Sequence, residues 1–151
     1  MWKRVLGALS LLLLTAVNPV YPADVYVRYP PNALPLDAAS VDTAAGAISI
    51  SFPAVAGWVN YVAGYRCDGT GATAASVVLV VLGGLIGPAM GIPVAVPAGV
   101  GIQDLSVQGA FDPPIPSLAP NTAIILQMPS LGAGSLHATC SMWGFRVPAG
   151  T

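Results

Sequence analysis

The chain has 151 residues, of which 55% are hydrophobic and only 7% charged, with a formal net charge of −1. That length suits one domain of ordinary size. A soluble domain usually has about 25% charged residues; here glutamate is absent and Lys3 is the sole lysine, so no basic cluster is available for a phosphate backbone and nucleic acid is not an expected partner.

In chain order, the first element is a leader. Met1-Trp2-Lys3-Arg4 is basic, Val5 to Val17 is apolar apart from Ser10 and Thr15, and Asn18, Pro19 and Pro22 close it. Residues 1–23 therefore read as an apolar helix or secretory signal peptide, too short for a comfortable membrane span of about 20 apolar residues. Ala23 is the natural cleavage position and Ala16 an alternative; an uncleaved anchoring arm is the other reading. Residues 24–46 are Pro-rich (Tyr29-Pro30-Pro31, Leu34-Pro35) and predict an extended arm, because a residue before proline is pushed towards extended backbone. Asp24 to Tyr29 could add one edge strand.

A β-sandwich is expected over residues 47–148. Ala47 to Phe52 alternates, with Ile48, Ile50 and Phe52 on one face, as a half-buried strand does. Trp58 to Arg66 is the next strand, with Val59, Tyr61, Ala63 and Tyr65 opposite Trp58, Asn60 and Val62. Asp68-Gly69-Thr70-Gly71 has turn chemistry. Val77 to Leu82 is a continuous β-branched run, suited to a strand buried on both faces. Ser76 to Ile102 is uncharged and long enough to span a membrane, but its glycines and prolines favour strand, Gly-rich loop and strand. Ile92 to Val96, Ile102 to Ala110, Ala123 to Met128 and Leu136 to Val147 complete the set, with proline corners around Phe111-Asp112-Pro113-Pro114-Ile115-Pro116. In the last strand, His137, Thr139, Ser141, Trp143 and Phe145 share one face. The expected fold is thus all-β, an antiparallel sandwich or jelly roll of seven or eight short strands, with 17 Gly and 15 Pro arguing against long helices.

Little chemistry competes with this architecture. Cys67 and Cys140 are an even pair, open to a disulfide or to two buried thiols. Two Cys and His137 lack the spacing of a four-ligand zinc site. His137 has no Gly-x-Ser-x-Gly elbow to serve and reads as a sandwich-face histidine. Without glutamate, a glycosidase would need two of the six aspartates, which fall in turns or arms. Gly69-Thr70-Gly71-Ala72-Thr73-Ala74 fits a loose dinucleotide pattern without the following helix, and reads as a turn. No catalytic residue, cofactor, metal or small-molecule ligand is expected. Trp58, Tyr65 and Trp143 are candidate interaction aromatics if they reach the surface, core packing being their default. The scarcity of charge predicts that much of the surface is covered, in a homo-oligomer or a larger assembly.

Several segments occur in an order that resembles a known group. Ala54-Val55-Ala56-Gly57, Tyr61-Val62-Ala63-Gly64-Tyr65 and Gly69-Thr70-Gly71-Ala72-Thr73-Ala74-Ala75 come first. Phe111 to Pro116, Asn121-Thr122-Ala123-Ile124, Gly132-Ala133-Gly134 and Gly144-Phe145 follow. Together they resemble small β-sandwich virion-associated proteins, of the capsid-decoration kind, from tailed bacteriophages. The resemblance implies a non-enzymatic virion component that acts through oligomeric assembly, with capsid or tail proteins as partners. The alternative is a secreted or periplasmic β-sandwich module that binds a glycan or cell surface; a hydrolase built on His137 is a third.

Overall fold

The alternation of apolar and polar residues builds strands, and the prolines decide where those strands can lie. A computed structural model describes residues 29–44, 46–101 and 104–150. The leader at 1–23 and the edge strand expected from Asp24 lie outside the described residues, apart from Tyr29, which is in no strand. The described chain is all-β. Its strands are β1 (Leu34–Ala39), β2 (Ile48–Phe52), β3 (Trp58–Thr70), β4 (Ser76–Gly83), β5 (Met90–Val96), β6 (Asp104–Pro116), β7 (Ile124–Met128) and β8 (Ala138–Pro148). They form two four-stranded antiparallel sheets, ordered β1-β8-β3-β6 and β2-β7-β4-β5.

Three of the four edge strands contain proline: Pro35 in β1, Pro93 in β5 and Pro113, Pro114 and Pro116 in β6. Proline has no N–H for a ladder, so it is tolerated at an edge and blunts that edge against further pairing. The central strands β3, β4 and β7 have none, and β8 has only its terminal Pro148.

The core lies between the sheets. Ile48, Ile50, Phe52, Val80, Leu82, Ile124, Leu126 and Met128 come from the second sheet; Val62, Tyr65, Cys67, Ala138, Cys140 and Met142 come from the first. Asn60 is a buried polar group inside this layer. It sits on β3, and its Nδ2 donates to the carbonyls of Pro53 and Thr122, each at 3.1 Å. Those carbonyls follow β2 and precede β7, so one amide ties the two sheets together.

Four local expectations change. First, the arm over 24–46 supplies β1, which pairs with β8 along its whole length. Second, Asp68, Gly69 and Thr70 are not a turn but the end of β3, paired with β6 on one side and, for Asp68 and Gly69, with β8 on the other. Two-sided pairing overrides turn propensity there, and a Cβ on Gly69 would run into Leu131. Third, β6 runs through the expected proline corner. Its register against β3 breaks between Gly64↔Ala110 and Val62↔Ile115, so an irregular segment carries the prolines at an edge. Fourth, β4 is buried on one face only. Val80 and Leu82 are fully enclosed, whereas Val77 is 72% and Leu79 49% exposed.

The same irregularity redirects side chains in β3, where the pairing with β8 also shifts between Val62 and Gly64. One extra residue reverses the facing of everything beyond it. Tyr61 therefore faces outward and stacks on Phe145 (centroids 4.9 Å apart, planes 8° apart), while Tyr65 turns into the core. Strict alternation had put both tyrosines on one face.

Candidate functional site

Among the described residues, the first sheet carries all the charge. Asp37, Asp42, Arg66, Asp68, Asp104, Asp112 and Arg146 are the charged side chains among the described residues, and each lies on or beside one of its strands. The second sheet has none.

On the outer face of the first sheet, Trp143 reaches solvent at 36% exposure, and Tyr29, packed edge-on against Phe145, at 39%. Trp143 pairs with Asp37 on β1 and Gly64 on β3. A Cβ on Gly64 would run into the Trp143 ring, so glycine lets the indole lie close against the sheet. Ser141, Arg66 and Gln108 occupy the next cross-strand row. Arg66 Nε donates to both carboxylate oxygens of Asp68, at 3.0 and 2.8 Å. The structure therefore separates the three candidate aromatics. Trp143 is at the surface and Trp58 half-buried. Tyr65 is 4% exposed and packs near Phe111 (6.1 Å between centroids), so it offers no interaction surface; burial pushes its phenol pKa up.

Cys67 and Cys140 are bonded to each other. They stand directly opposite in the β3–β8 register, with Cα atoms 4.1 Å apart. Cys140 N–H donates to Ser40 Oγ (2.9 Å), and its carbonyl accepts from Ser40 N–H (2.8 Å). Its backbone thus faces the segment after β1, which leaves the cysteines as a close, non-hydrogen-bonded pair.

That segment continues along β8 to the single histidine. Thr43 N–H donates to the Ala138 carbonyl (3.1 Å), and Ala138 N–H donates to Asp42 Oδ1 (3.1 Å). His137 Nδ1–H donates to the same oxygen at 2.8 Å. This hydrogen bond is the main reason the Asp42 carboxyl is held below the usual carboxylate range. Desolvation opposes it; the Ala138 N–H and the histidine charge reinforce it. Sequence spacing gave no sign of this pair, because 95 positions separate its members and only the β1–β8 pairing unites them.

His137 also borders a cleft of about 460 Å³ with Arg66, Asp68, Asp104 and Ser106. The nearby Ser135 is buried, and its hydroxyl engages Thr70 Oγ1 and the His137 carbonyl, each at 3.4 Å. Thr70 Oγ1 in turn accepts from the N–H groups of Leu136 (2.9 Å) and His137 (3.3 Å). The chemistry of this corner is that of a loop fastening. Among the described residues no group of three or more His, Cys, Asp or Glu is placed to hold a metal ion, and no helix is long and apolar enough to cross a membrane. Comparison with known protein families, with curated proteins and with solved structures finds no match.

Proposed function

We propose that this chain is a non-enzymatic structural protein that works by assembly, as a decoration or other surface protein of a phage particle. One observation carries the reading. The strands pair as β1 with β8, β2 with β7, β3 with β6 and β4 with β5. Those nested pairs, with the orders β1-β8-β3-β6 and β2-β7-β4-β5, support a jelly-roll reading, an architecture that viral capsid and lectin domains use. A fold alone does not carry a function; the ordered motifs from Ala54 to Phe145 and the poverty of charge add to it. A homo-oligomer and capsid or tail proteins are the partners.

The test is mass spectrometry of particles banded from a lysate of the source culture. Stoichiometric presence of this chain in the particle band is the expected result. Its recovery only from soluble or envelope fractions would overturn the virion reading.

A second reading, a secreted or periplasmic module that binds a glycan, is favoured by two observations. Trp143 lies against Gly64 beside Asp37, with Arg66 and Gln108 one row away, and a disulfide suits an oxidising compartment. A glycan array on which the wild type binds and Trp143→Ala does not would support it; no signal for either removes it.

A further inference from the structure

We propose that the outer face of the second sheet is a homotypic docking surface, on which a second copy of this chain packs sheet against sheet about a two-fold axis. This rests on the assembly reading above and names its interface. Val77, Leu79 and Val81 run along β4 at the middle of the face, with Ile125 beside them on β7, 38% exposed. Leu79 lies across Gly91 of β5, where a Cβ would meet its methyl carbons at 3.1 and 3.3 Å. Glycine thus lets the largest side chain of the row lie down across β5.

Charge selects the occupant. The second sheet carries no charged residue on any strand. A partner with charged groups would have to strip them of water and find nothing opposite to pair with them. The outer face of the first sheet, with Asp37, Arg66 and Asp68, is therefore unsuited to cover it, which rules out a head-to-tail stack. A second copy of the same uncharged face fits, and a patch that meets itself forms a closed two-fold pair. In that pair every described charge stays in the two outer sheets, in water. Area permits it: four strands about 4.8 Å apart and five to eight residues long cover roughly 400 Å² in projection. As accessible surface, two such faces bury on the order of 1,000 Å², where specific interfaces begin.

The test is light scattering of the full chain across a concentration series, for wild type, Leu79→Lys, Gln127→Lys and Ser141→Lys. Gln127 is exposed on β7 on the same face, so its replacement leaves the core untouched even if Leu79→Lys fails to fold. The expected result is a wild-type dimer, weakened about tenfold or more by Leu79→Lys and Gln127→Lys and unchanged by Ser141→Lys on the other sheet. A monomeric wild type, or a dimer that both second-sheet variants preserve, overturns the proposal. So does a monomer that binds neutral phosphatidylcholine vesicles and loses that binding with Gln127→Lys, which assigns the face to lipid. A dimer that behaves as expected while the chain is missing from particles overturns the virion reading alone.

Discussion

Gly144 shows how single residues set the spacing of this molecule. It lies on β8 opposite Val62, and a Cβ there would run into the Tyr61 carbonyl oxygen, with Phe52 Cε2 behind it at 3.1 Å. Backbone cannot yield as a side-chain tip can. Gly144→Ala should therefore cost roughly 1–3 kcal/mol or more, read as a fall in the urea midpoint at unchanged slope. Asp42 acts on a smaller scale, because it is exposed. Its carboxyl pKa is lowered in the folded chain, chiefly by the His137 hydrogen bond. The stability it adds is present above the unfolded pKa and fades as pH falls through the lowered folded value, which puts the window below about pH 4. Melting temperatures of wild type and Asp42→Asn should differ at neutral pH and converge on acidification. A difference that persists at low pH would show that the carboxylate charge plays no part.

At the level of elements, β3 does most to join the parts. It pairs on both sides, turns its tyrosines to opposite faces at the register shift, and ties in the second sheet through Asn60. Removing the Asn60 amide strands the Pro53 and Thr122 carbonyls in the interior, and an unsatisfied buried group costs about 1–3 kcal/mol. Asn60→Ala should accordingly destabilise by at least that amount in chemical unfolding. Hydrogen exchange should rise first at the two ends it fastens, after β2 and before β7. An unchanged stability would mean that water replaces the amide without loss.

On the scale of the whole molecule, two features stand out: the nesting of the strands and the division of charge. Apart from β4 with β5, neighbours in a sheet are far apart in sequence, so loop-closure entropy opposes folding and the chain should fold slowly. The Cys67–Cys140 bond joins the two central strands of the first sheet across 73 positions. In the chain-entropy account, closing a loop of that length stabilises by about 4 kcal/mol. The double variant Cys67→Ala/Cys140→Ala should lose stability of that order in urea unfolding, and a loss near zero would mean that the open chain already holds these strands together. The division of charge follows from which strands share a sheet: β2, β4, β5 and β7 are uncharged and gather on one side.

The sequence by itself determined that the described chain is all-β, because period-two alternation and proline-glycine punctuation act within a few residues. Ile48, Ile50 and Phe52 share one buried face, as their alternation predicts. Tertiary structure decided the rest. Pairing on both sides turned Asp68-Gly69-Thr70 from turn into strand, and a register shift sent Tyr65 inward, while Trp143 stays at the surface. The β1–β8 ladder brought Asp42 to His137 and Cys140 to Ser40. The apolar run Val77 to Leu82 reads alike whether one face or both are covered, since hydrophobicity records a preference for burial and not the partner that satisfies it. Only the assembled sheet shows Val77 and Leu79 still facing outward.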